Sequence, residues 1–169
     1  VNSVGLGAQR TLSSVGETLL VLGRRQLMRW LQLLLYALDD NAPHPSPLLL
    51  LAATRGRIME RLAGLQGQPD SHCDAAFTVG ILSLLDSLTS QPLGQLVAEL
   101  HLGPALAAAL LTRSGELGLL LKLAEAVEHP DLSHTLALLG QAGLALTDLT
   151  TATIDAMLWV NQIVDPAGA

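Results

Sequence analysis

Leucine and alanine recur at helical spacing along almost the whole chain, and this pattern excludes most architectures other than a helical one. In residues 24–38, Leu27, Trp30, Leu31, Leu34, Leu35 and Leu38 follow the i, i+3, i+4, i+7, i+8, i+11 spacing of one buried helix face. Phe77, Gly80, Ile81, Leu84, Leu85 and Leu88 repeat that spacing in residues 75–88, which places Leu84 in the core. The chain is 50% hydrophobic but only 2% aromatic, so its interior is built from Leu, Ala, Ile and Val. Leu and Ala favour helices, and the β-branched and aromatic residues that suit a pleated sheet are sparse.

The 169 residues suit a single domain large enough to bury a core without disulfides or metal staples. Mean hydropathy is +0.44, yet uninterrupted apolar runs such as 33–38 and 48–53 fall far short of the roughly 20 residues needed to cross a bilayer. No membrane span is therefore expected. Cys73 is the single cysteine, which excludes an intrachain disulfide and fits a cytoplasmic protein.

Punctuation along the chain predicts about eight or nine short helices in an irregular bundle. Ser14 and Glu17 form a capping box before a helix to residue 22, and residues 39–45 make a loop. Ser46-Pro47 then supplies an N-cap with proline in the first turn, opening a helix to about residue 65. In that helix Leu48, Leu51, Ala52, Met59 and Leu62 are expected to face inward, and Arg57, Glu60 and Arg61 to face water. Further helices are predicted over 92–100, 104–112 and 115–127, through residue 139 after a cap at Asp131 or Ser133, and from 147 or 150 to 164, with a break over 140–143.

Charge is unevenly placed, with residues 1–61 netting +3 and residues 62–169 netting −9. Neither the overall charge of −6 nor the scarcity of aromatic side chains suits nucleic-acid binding. The Arg-bearing helices give a candidate protein-partner surface at Arg25, Arg57 and Arg61.

No catalytic constellation is visible. His72-Cys73-Asp74 are adjacent on a helix, where successive side chains diverge by about 100° and do not converge on one ion. His129, Asp131 and His134 are explained more simply by a turn opening a helix. Cys73 has no evident histidine partner, no Gly-x-Ser-x-Gly elbow occurs, and Gly5-Leu6-Gly7 is too short for a phosphate loop. No catalytic residue, metal ligand or cofactor is assigned.

Residues 75–88 resemble the helix that carries the adjacent His-Asp metal pair of HD-type phosphohydrolases, with Ser83 and Leu84 in place of the pair. Val1-Asn2-Ser3, residues 14–19 and 22–27, Arg29-Trp30-Leu31, Ser46-Pro47-Leu48 and residues 52–57 also resemble blocks of the HDOD family, the HD-related output domains. The likeness is to the YuxH-type subgroup, in which the HDOD domain follows an EAL domain associated with cyclic di-GMP. It implies an all-α bundle of the HD-domain type over residues 1–169, with its first helices and an EAL domain lying before Val1.

The function implied is a non-catalytic output module of bacterial signalling, acting on a protein partner or the linked EAL domain, as a monomer or homo-oligomer. None of the five histidines precedes an aspartate, and Leu84 has no lone pair to offer a metal. The alternatives are a degenerate HD-type metal-dependent hydrolase with ligands from elsewhere, and a peripheral membrane-binding helical module.

Overall fold

Pro47 at the first helical position and the left-handed Gly67 after the last turn delimit the first described element, α1 (Pro47–Leu65). The computed structural model describes residues 46–129 and 131–164. The helices expected over 14–22 and 24–38 lie outside those residues. After α1 come α2 (Asp70–Leu82), α3 (Leu85–Thr89), α4 (Leu93–Glu99), α5 (Pro104–Thr112), α6 (Gly115–Ala126), α7 (Leu132–Ala142) and α8 (Leu146–Val164). The protein is an all-α bundle, with no strand among the described residues.

The helix ends follow their sequence signals in part. Asp131 caps α7, its Oδ1 accepting from the His134 backbone N–H at 3.0 Å. The helix closes at Gly143, whose φ of 66° lets Leu144 N–H return to Leu139 C=O at 3.0 Å. Asp148 accepts from Ala145 N–H at 2.8 Å, fixing the start of α8. Ser46 sits at the α1 N-cap position, but its hydroxyl makes no capping bond.

Packing is organised around α1, which lies against α2, α6 and α8. Ile58, Met59 and Leu62 of α1 join Val79, Leu96, Leu110, Leu120, Leu121 and Leu123 in the main core. A smaller cluster of Ala53, Phe77, Ile81 and Val160 ties the first half of α1 to the end of α8. The inward face of α1 differs from the expectation at its start: Leu49 is buried, whereas Leu48 is exposed.

The 23-residue stretch Pro104–Ala126 is long and apolar enough by composition to cross a membrane. Its backbone breaks at Arg113 (φ 51°) and Gly115 (φ 75°), however, and the two halves, α5 and α6, pack against each other. A side chain on Gly118 would lie 2.3 Å from the Arg113 carbonyl carbon, so this glycine is what lets the turn seat against α6.

The stretch expected as one helix over 75–88 is divided. Ser83 N–H closes back on Gly80 C=O at 3.3 Å, and Leu84 leaves helical geometry at φ −114°, ψ 14° before α3 restarts the chain. The break rotates the following residues, so Leu85 is buried and Leu84 is only half-buried. The expectation that Leu84 belongs to the core stripe is thereby corrected.

Candidate functional site

The surroundings of Ser83 follow from a close helix crossing. At the α1–α2 contact, a Cβ on Gly80 would fall 2.4 Å from Gly56 Cα and 2.5 Å from Gly56 N. Two facing glycines thus let the backbones touch, and this brings Arg55, the neighbour of Gly56, alongside Ser83 at the end of α2.

Arg55 is a charged residue in a core position, only 8% exposed. Its guanidinium donates from Nε and Nη2 to Oε1 and Oε2 of Glu128 at 2.6 and 2.7 Å, the planar bidentate geometry that best compensates a buried ion pair. Its Nη1 donates to Ser83 Oγ at 3.1 Å and lies 3.5 Å from Glu125 Oε1. Ser83 is itself buried and donates its hydroxyl to Gly80 C=O at 2.7 Å. Glu125 also takes Arg113 Nη2 at 2.8 Å, while Arg113 Nη1 donates to Leu110 C=O. Two arginines and two glutamates therefore form a charge-balanced chain linking α1, the end of α2, the α5–α6 turn and the end of α6.

Burial by itself pulls the Arg55 pKa down, but the hydrogen bond it donates to Glu128 and the negative charges of Glu128, Glu125 and Asp86 reverse this and hold it above the usual arginine value. The guanidinium is a permanent cation at this position.

The resemblance to HD-type enzymes implies metal ligands where Ser83 and Leu84 stand, and the residues present do not fit a metal. The Ser83 oxygen already donates to a carbonyl and accepts from a cation, the Leu84 side chain has no donor atom, and Glu125 and Glu128 hold arginines. The described residues contain no group of three or more His, Cys, Asp or Glu placed to hold a metal ion. What the arrangement can do is mechanical: it locks four segments at one point through directional bonds.

Arg57 and Glu60, expected to face water, are instead largely covered, Arg57 at the α1–α8 contact. Arg57 donates to Glu60 Oε2 and Asp155 Oδ2, each at 2.9 Å, and stacks 5.7 Å from the centre of the Trp159 ring. Glu60 is 7% exposed. Arg61 is exposed and lies 3.3 Å from Asp155. The two described arginines of the candidate partner surface thus converge on Asp155, with Arg57 largely covered; Arg25 lies outside the described residues. Trp159 meets Phe77 edge to face at 6.0 Å, a packing role.

The remaining candidates do local work. Cys73 is half-buried and donates weakly to Gln68 C=O at 3.7 Å; burial first, then the charges of Glu60, Asp70 and Asp74, push its thiol pKa up, away from nucleophilic character. His129 Nδ1 contacts Glu125 C=O at 3.2 Å. His72 Nε2 lies 3.8 Å from Glu116 Oε2 beside a cleft of about 400 Å³ whose walls include Ala75, Leu106 and Leu117.

Arg55, Arg113, Glu125 and Glu128 were not singled out by their sequence pattern. A signal was present, because Arg55 shares a helix face with Ala52, Met59 and Leu62, where a charge needs a buried partner. Nothing local identifies that partner, which lies 73 residues away.

No protein-family profile matches the chain. Over 163 residues, 96% of its length, the chain is 29% identical to the cyclic di-GMP phosphodiesterase CdgJ of Vibrio cholerae serotype O1. The match spans 37% of that relative's own length. No solved structure matches.

Proposed function

We propose that the chain is a non-catalytic regulatory module of the HDOD type, working in cytoplasmic cyclic di-GMP signalling and coupled to an EAL domain of the same polypeptide. The observation that carries the proposal is the Arg55–Ser83–Glu128 arrangement. At the position that an HD-type enzyme devotes to a metal pair, this chain places its own cation and engages the nearby carboxylates with it. The likeness to a Vibrio cholerae cyclic di-GMP phosphodiesterase over 96% of the chain, but 37% of that relative, supports the pathway and leaves room for catalysis in another part of such a polypeptide. The module acts by contact, with the ion-pair chain holding its helices in one arrangement that a partner domain senses.

The test is metal analysis of the purified chain, together with hydrolysis of cyclic di-GMP and of a bis(p-nitrophenyl) phosphate reporter in the presence of added Mn²⁺ or Mg²⁺. The expected outcome is no stoichiometric metal and no turnover. Metal-dependent hydrolysis that disappears in Glu125→Gln or Glu128→Gln would overturn the reading in favour of a degenerate hydrolase.

A further inference from the structure

Between residues 132 and 163, no exposed residue is Asp, Glu, Lys or Arg, although the chain as a whole carries a net charge of −6. A solvated surface of this length ordinarily holds a quarter or more charged residues. The feature is sharpest on α8. Its exposed positions are Leu146, Thr147, Thr150, Thr151, Ile154, Met157, Leu158, Asn161 and Gln162, a single helical face about 24 Å long. Ile154, Met157 and Leu158 are 54%, 53% and 59% exposed.

The acids of α8 are turned away from this face. Asp155 pairs with Arg57 and Arg61, and Asp148 caps the helix start. Thr150 donates its hydroxyl to Leu146 C=O at 2.9 Å, so covering it leaves no unmet donor.

We infer that the α8 face is a self-association surface whose occupant is α8 of a second copy of this chain, packed about a two-fold axis. Charge decides between occupants. A heterologous partner is normally selected and steered by complementary charges, which this face lacks, whereas homodimer interfaces are depleted of charge and enriched in residues such as Met. For two copies that each carry −6, an uncharged face is also where they meet without like charges being brought together. A two-fold contact needs a patch that complements itself, and an uncharged row of Leu, Thr, Ile and Met does so.

Sedimentation velocity and light scattering of the full chain over a wide concentration range test the inference. The wild type is expected to have the mass of a dimer, and Ile154→Arg/Leu158→Arg to weaken association by about a hundredfold or more, because each arginine enters the shared face twice. Thr150→Arg, at another exposed position of the face, is the second arm and carries the test if the double variant loses its helical circular dichroism. A wild type that stays monomeric throughout overturns the inference, whether the face is then covered by residues 1–45 or reserved for another protein. A dimer indifferent to the arginines of a folded variant overturns it equally.

Discussion

Replacing Gly80 by alanine probes the crossing on which the Arg55 site depends. The added Cβ would sit 2.4 Å from Gly56 Cα, 2.5 Å from Gly56 N and 2.7 Å from Arg55 C, where ordinary contact begins at 3.4 Å. All three obstacles are backbone atoms, so no side-chain rotation relieves them, and α1 and α2 must separate by about 1 Å. A gap of that size forfeits roughly a quarter to a half of the dispersion energy of each contact along the seam. Among those contacts are Ala53, Phe77 and Ile81. Overpacking costs about 1–3 kcal/mol and sometimes more, and alanine returns about 1 kcal/mol through helix propensity. With the loosened seam added, the net loss is about 3 kcal/mol, or roughly 6–12 °C in Tm for a chain of this size. Gly64→Ala is the matched control: this glycine is also helical, in α1, with nothing within 4 Å of its added Cβ, and the change should stabilise by up to about 1 kcal/mol. Thermal melts by circular dichroism compare the two. A Gly80→Ala protein that melts with or above the wild type would refute the account of a backbone-to-backbone crossing.

Arg55→Met should destabilise the fold by about 3 kcal/mol in urea titration, because it strands Glu128 without its cation, while Glu125 keeps Arg113; the double variant Arg55→Met/Glu128→Leu should recover part of the loss, and failure of the second change to rescue would count against the ion pair as the cause. Alkylation of Cys73 by iodoacetamide should rise with pH along a curve displaced above that of an ordinary thiol, since burial and three neighbouring carboxylates raise its pKa. Between the unfolded and folded pKa values the folded chain binds more protons at this site, so its contribution to stability is complete below the unfolded value and falls away as pH rises through the folded one. Rapid alkylation at neutral pH would contradict this.

The legibility of the chain divides along the range of the interactions involved. Proline at the start of α1, Asp131 ahead of α7 and the left-handed glycine after it act within four or five residues, and their consequences can be read in place. Leu84 illustrates the limit. Its spacing from Phe77 and Ile81 matches a helix face, but Ser83 closes the turn on Gly80 and the period does not continue through it. Arg57 illustrates another: on α1 alone it lies on a polar side, and only the approach of α8 turns that side into a contact with Asp155 and Trp159.

By itself, the sequence determined an all-α class, because Leu and Ala at a period of 3.6 favour helices and leave no half-buried strand to form. It also determined that no His-Asp pair stands at Ser83 and Leu84. What stands there instead was decided only by the tertiary structure. Arg55 and Glu128 are 73 residues apart, and the facing glycines 56 and 80 acquire meaning only when two helices cross at backbone distance. A helical period reports which side of a helix is apolar; it carries no information about which distant element meets that side, and the buried guanidinium is a product of that meeting.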